Sequence, residues 1–304
     1  MLLAIAATRC CGAGMALLSI NSDDTFDSGA LRRALASLPE GAPVVVMIHG
    51  FKFSPACRTH DPHDHILSLR PGRACWKAVS WPKHLHLHGA AGLAIGFGWN
   101  ARGSIWRAWR ASARAGRRLS RLIALVREAA PDRSVHLVAH SLGARVALGA
   151  LPGLPAGAVA RIVLISAAAF RTEAERRMAT AAGRAAEVFS VTGRENAVFD
   201  LLLRIAMPLG GATLGRRGPP MARWLDLPLD QAESLEALAA LGFPIAPPRV
   251  RICHWSGYLR PGVWRLYRVL LLTPEATPLG VLRAQLARPA PRPTPVRALA
   301  RVHR

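Results

Sequence analysis

The chain has 304 residues, 51% apolar and 19% charged, and its 40 Lys plus Arg against 18 Asp plus Glu give a formal net charge of +22. That length and apolar content exclude a disordered chain and are ample for a buried core, while 23 Pro with 26 Gly is far from a collagen-like repeat. Charge-free stretches such as His88 to Ala101 fall short of the roughly 18–20 residues a spanning helix needs, so the sequence reads as a soluble globular protein.

Only Lys52, Lys77 and Lys83 are lysines, and every other positive side chain is an arginine. Arginines spread over the whole chain beside abundant Ala, Gly and Pro point to a GC-rich coding bias rather than to a nucleic-acid-binding face. No zinc-finger, RNP-type or basic-zipper pattern occurs. The expectation is therefore no specific nucleic-acid partner, and at most weak contact with anionic surfaces. Cys10, Cys11, Cys57, Cys75 and Cys253 are odd in number with no repeated spacing, which suits reduced thiols in a cytoplasmic protein. Residues 1–14 do not read as a secretion signal: Arg9 interrupts the apolar run, no positive region precedes it, and no clean small-x-small site follows. They are expected to be an extension.

From Met15 the chain alternates strand and helix signals. MALLSIN reads as a first strand, and Leu31, Leu35 and Leu38 recur at helical spacing after a candidate cap at Asp27 or Ser28. Val44 to Ile48 is a buried strand, and residues 52–88 an irregular loop rich in His, Asp and Pro. Leu93 to Trp99 is a second strand candidate. A long helix from Ser104 to about Ala130 follows, with Trp109, Ala113, Leu122 and Val126 on one side and arginines on the others. Val135 to Ala139, Arg161 to Ser166 and Glu187 to Thr192 read as further strands, with helices through about Leu151 and from Thr172 to Gly183. Residues 201–248 read as a partly helical, cap-like segment with a helix ending at Gly242; Val250 to Cys253 reads as the last strand and Trp264 to Leu272 as a closing helix. The alternation predicts an α/β fold with a mostly parallel sheet flanked by helices, in one domain over 15–287, followed by a Pro- and Arg-rich basic tail over 288–304.

The stretch that carries chemistry is Val135-His136-Leu137-Val138-Ala139-His140-Ser141-Leu142-Gly143. Small residues two before and two after a serine, at a strand-to-helix turn, push its hydroxyl out of the sheet. A serine hydroxyl is a weak nucleophile near neutral pH and needs a general base that is itself oriented by an acid. His254, directly after the expected last strand, meets the demand for the base. The histidine groups His60-Asp61-His63-Asp64-His65 and His84-His86-His88 match no standard zinc spacing, so no metal is expected.

Three features together, His49-Gly50-Phe51 after one strand, Ala-His-Ser-Leu-Gly after another and a late histidine, resemble the α/β-hydrolase superfamily, most of all its bacterial serine esterase and lipase-like members. The resemblance covers about Val44 to Tyr267. It implies Ser141 as nucleophile and His254 as base. It also implies an oxyanion hole from the amides of Leu142 and Phe51, with His49 and His140 structural, and no cofactor. The sequence departs from the family at the acid. Where many relatives carry Asp, shortly after the Glu187–Thr192 strand, this chain has Asn196 and Ala197. Glu195 is the nearest carboxylate and Asp200 the alternative. The implied reaction is hydrolysis of a small-molecule acyl ester. Acyl transfer, thioester or amide cleavage, or a catalytically idle fold that binds anionic partners, are the alternatives.

Overall fold

Seven short runs dominated by apolar side chains pair into one parallel sheet in the computed structural model, which describes residues 17–72, 75–87 and 89–287. The strands are β1 (Leu17–Asn21), β2 (Val44–Ile48), β3 (Leu93–Gly98), β4 (Val135–His140), β5 (Arg161–Ile165), β6 (Glu187–Thr192) and β7 (Trp224–Pro228), in the order β1-β3-β2-β4-β5-β6-β7. Between them and after them run α1 (Ser28–Ala36), α2 (Trp81–His84), α3 (Ile105–Ala129), α4 (Gly143–Ala150), α5 (Arg171–Met178), α6 (Ala181–Ala185), α7 (Ala197–Ala206), α8 (Ala232–Ala240), α9 (Ser256–Leu259), α10 (Val263–Leu272) and α11 (Leu279–Leu286).

A parallel sheet must bury both faces, which is why its central strands are continuous apolar runs rather than alternating ones. In β2, Val44, Val46 and Ile48 enter one core, with α1, α3 and α4, while Val45 and Met47 enter the other, with α2, α8, α10 and α11. The long arginine-rich helix α3 is capped by the Ser104 hydroxyl, which accepts from Arg107 N–H. Its buried stripe is Ala108, Ser112, Ala115, Leu119, Leu122, Ile123 and Val126, displaced from the expected one: Trp109 and Ala113 are only half-buried.

The order of the strands places the site. From β2 the chain crosses to β3 on one side, and from β4 it proceeds to β5 on the other, so β2 and β4 are neighbours whose following loops diverge. That switch point opens a crevice at the C-terminal ends of the strands. The register Ile48↔Ala139 brings the two loops side by side there.

Three elements differ from expectation. Val250 to Cys253 forms no strand: Val250 and Ile252 are exposed, and the segment follows Pro247-Pro248. The last strand is β7, inside the segment 201–248 that reads as cap-like, and it pairs along β6. The helix expected over 172–183 is two, α5 and α6, parted at Thr180, whose hydroxyl caps the second by accepting from Gly183 N–H. The extension 1–14, the tail 288–304, Cys10, Cys11 and His88 lie outside the described residues.

Candidate active site

β4 ends in a turn so tight that Ser141 adopts φ +55°, a left-handed conformation rare for a residue with a Cβ. Three hydrogen bonds hold it there: Ser141 N–H donates to Ile165 O at 2.9 Å, and Ala144 N–H and Ala168 N–H each donate to Ser141 O at 3.0 Å. α4 begins two residues later. The turn fits only because its neighbours lack side chains. A Cβ on Gly143 would stand 2.5 Å from His49 O, and one on Gly50 would stand 2.8 Å from Ser141 Cβ. The spacing of small residues visible in the sequence is thus a steric requirement of the β2 loop passing against the elbow.

His254 meets the serine from the other side. Ser141 Oγ lies 2.7 Å from His254 Nε2, and His254 Nδ1 lies 2.6 Å from Asn196 Oδ1. The amide oxygen can only accept, so Nδ1 carries the proton and Nε2 is left to accept from the serine hydroxyl. Burial holds the imidazole well below its ordinary pKa, and His140 and Lys77 add to the effect, so the ring is neutral. Phe199 stacks on it with ring centroids 4.5 Å apart, and His140, 4.7 Å away, hydrogen-bonds through Nε2 to His254 O at 3.0 Å. That contact fixes the backbone of the segment, which no strand supports.

Neither sequence-proposed carboxylate touches His254. Glu195 turns the other way, into a buried ion pair with Arg260, and accepts from Ser256 Oγ at 2.6 Å. Its backbone oxygen accepts from Cys253 N–H at 2.9 Å. Glu195 therefore ties the turn after β6 to the His254 segment and to α9. The position facing His254 belongs to Asn196, one residue later. Asp200 stands behind it, in the first turn of α7, close enough for the Asn196 side chain to act on its carboxyl. Because the Asn196 oxygen is engaged by His254, its NH₂ is the group left to face Asp200. Burial raises the Asp200 carboxyl to about 7, against the pull of Asn196 and Arg216. Asn196 was visible in the sequence only as a departure from the family pattern. The signal that could have found it is its position, directly after β6 and one helical turn before a carboxylate.

The backbone N–H groups of Leu142 and Phe51 donate to no backbone acceptor among the described residues. The β2 loop is braced by His49: Trp99 N–H donates to its Nε2 at 3.0 Å, and its Nδ1–H donates to Gly50 O at 2.9 Å. Burial depresses His49 to about 3 and His140 to about 4, so both rings are neutral. The histidine-rich loop is used in packing. His63 bonds Asn21 Oδ1 at 2.8 Å, His65 lies 3.4 Å from Cys75 Sγ, and His84 stacks on Trp264. Among the described residues no group of three or more His, Cys, Asp or Glu could hold a metal ion, and no helix is long and apolar enough to cross a membrane.

Residues 30–167 match the model of a family described as an alpha/beta hydrolase of unknown function (DUF900). The match contains the β2 loop and the Ser141 elbow and ends before Asn196 and His254. No curated protein sequence matches the chain. Among solved structures, it is similar to a metagenomic carboxyl esterase, MGS0156, at 14% identity over 55% of this chain, with a TM-score of 0.31. The chain spans 57% of that protein's length. It is also similar to the carboxylesterase CesB (YbfK) from Bacillus subtilis, at 11% identity over 78% of this chain and 85% of that one, with a TM-score of 0.33. A third is the thermophilic esterase Est2 from the Planctomycetes species Thermogutta terrifontis, at 12% identity, 69% and 88% coverage and a TM-score of 0.28.

Proposed function

Residues 30–167 match an alpha/beta-hydrolase family model, and from that premise we propose that the chain is a serine hydrolase of the α/β-hydrolase superfamily, cleaving carboxylic esters through an acyl-enzyme. The observation that carries this reading is the Ser141 Oγ–His254 Nε2 contact of 2.7 Å at a strained strand-to-helix turn. In the proposed reaction the hydroxyl proton passes to His254 Nε2 as Oγ attacks the ester carbonyl carbon. The carbonyl oxygen gains the electron pair and is stabilised by the Leu142 and Phe51 amides, each such donor contributing about 3–4 kcal/mol where it has been removed in comparable sites. Collapse breaks the carbon–alkoxide bond, and His254 returns the proton to the leaving oxygen. Water then repeats the sequence on the acyl-enzyme and frees Ser141. Every step uses side chains and amides of this chain plus water.

Asn196 and Asp200 share the task that a single carboxylate performs elsewhere. Asn196 holds the imidazole in the tautomer with Nδ1 protonated, as the asparagine does in cysteine-protease triads. Being neutral, it stabilises the transient imidazolium less than a carboxylate would. Asp200, ionised, polarises the Asn196 amide from behind and restores part of that charge. The same neutral residue favours a second reading, a catalytically idle fold, since it weakens the base.

An ester panel of graded acyl length, run with wild type and Ser141→Ala side by side, separates them. The serine hydrolase reading expects turnover on at least part of the panel and only residual rates in the variant. Equal rates in both proteins would remove Ser141 from the reaction, and no turnover of any ester by wild type would favour the idle fold.

A further inference from the structure

The outer face of α7, immediately beside His254, is apolar and exposed. Asp200 and Leu203 point inward, while Val198, Leu201, Leu202 and Ile205 face solvent, from 41% exposed for Val198 to 67% for Ile205. Leu209, just beyond the helix, is fully exposed. Trp106 on α3 joins them: its indole N–H donates to Ala206 O at 2.9 Å, and the residue remains 54% exposed. Single exposed apolar side chains are ordinary; a contiguous set on one helix face marks a surface with a partner.

The set continues toward the candidate site. Phe199, stacked on His254, meets Trp255 edge-on at 6.1 Å, and Trp255 meets the exposed Trp76 at 6.0 Å. Its rim is cationic. Between Leu201 and Leu225 the sequence has no Asp or Glu and four arginines, Arg204, Arg216, Arg217 and Arg223, the last of them paired with Glu187. Three of them line a groove of about 620 Å³ with Arg171, Leu201 and Ile205. The carboxylates nearby are turned away from solvent or paired: Asp200 is buried on the inner side of α7, Glu173 is paired with Arg145 and Arg177, and Asp226 accepts from Gly218 N–H and the Trp224 indole N–H. An apolar stripe edged by arginines and a tryptophan has the charge and shape that complement an anionic bilayer surface.

We propose that α7, the 207–217 loop and Trp106 form a docking surface for anionic lipid. The apolar side chains enter the boundary between headgroups and acyl chains, and the arginines meet lipid phosphates. This assignment is independent of the esterase reading, because the surface binds whether or not Ser141 turns over.

The test uses the full chain carrying Ser141→Ala, sedimented with phosphatidylcholine vesicles or with vesicles containing phosphatidylglycerol, at about 0.15 M salt, where long-range surface attraction is screened. The expected result is binding to the phosphatidylglycerol vesicles and little to phosphatidylcholine alone. Leu201→Gln/Ile205→Gln/Leu209→Gln weakens that binding by about tenfold or more, because the apolar anchor is gone. Arg204→Gln/Arg217→Gln weakens it comparably, and circular dichroism of both variants matches the parent. In the Ser141 background the same substitutions leave turnover of a soluble short-chain ester unchanged. Four outcomes overturn the proposal: no binding to phosphatidylglycerol vesicles, equal binding by parent and variants, a loss with the arginine pair only, or an apolar variant that abolishes self-association instead of vesicle binding.

Discussion

The two halves of the site are built on different foundations. The half that holds Ser141, the proposed nucleophile, rests on β2 and β4, adjacent central strands buried on both faces, and its geometry follows from close contacts at Gly50 and Gly143 that admit no side chain. The histidine half rests on two turns outside the sheet, residues 193–196 and 249–255, held by a polar network of Glu195, Ser256 and Arg260. The first is fixed by sterics and the second by hydrogen bonds. A substitution in the first therefore has little room for compensation, whereas the second can exchange one polar device for another, and this chain has an asparagine backed by a carboxylate.

The comparison can be broken or sharpened by four substitutions. The largest effect belongs to His254→Ala, which removes the proposed base; losses in comparable triads reach ~10⁶ in turnover. Asn196→Ala comes next. Without an acceptor at Nδ1 the imidazole loses its tautomer and orientation, and turnover is expected to fall by roughly 10²–10³, short of the ~10⁴ that a triad carboxylate is worth. Steady-state kinetics on an ester that wild type accepts would check both.

Asp200→Asn should cost less at high pH and nothing at low pH. With its carboxyl raised to about 7, Asp200 supports Asn196 as an anion only above that value. The pH profile of kcat/KM in wild type should thus rise through a limb near 7 that the variant lacks. Stability moves in the opposite sense. The unfolded chain releases this proton near 3.8 and the folded chain near 7, so between those values the unfolded state binds fewer protons and stability falls as pH rises. Asp200→Asn should therefore raise the melting temperature at pH 8 and leave it little changed near pH 4. Unchanged pH profiles for both activity and stability would remove Asp200 from the relay.

Glu195→Ala has the smallest direct effect on chemistry and the largest on folding. Removing one partner of a buried ion pair typically costs about 3–5 kcal/mol, because the remaining charge, here Arg260, is left uncompensated. Denaturant unfolding reads that loss. Turnover measured where the variant is still folded should fall far less than in Asn196→Ala.

The tight turn at Ser141 was legible in the sequence because sterics write themselves as small residues at fixed spacing: Gly143, two residues after the serine, is part of the pattern, and a Cβ there would meet His49 O. The parallel sheet was legible for a similar reason, since strands such as Val44–Ile48 have no polar position to spare. The histidine half was less so. Val250-Arg251-Ile252-Cys253 has the alternation of an edge strand, but the edge is already formed by β7, so the segment pairs with no strand and its apolar side chains face solvent. β7 itself, Trp-Leu-Asp-Leu-Pro, is short and ends in proline, which hid it inside a segment that reads as helical. Glu195 looked like the acid because it is the first carboxylate after β6. Its partner Arg260 is 65 residues away in sequence, and no local pattern announces that pairing.

The central claim is that His254 activates Ser141. The most direct measurement is labelling with an active-site-directed fluorophosphonate, followed by peptide mapping, on wild type, Ser141→Ala and His254→Ala. The account predicts one adduct, on Ser141, absent in the serine variant and strongly slowed in the histidine variant. Labelling of another residue, or equal labelling with and without His254, would contradict it.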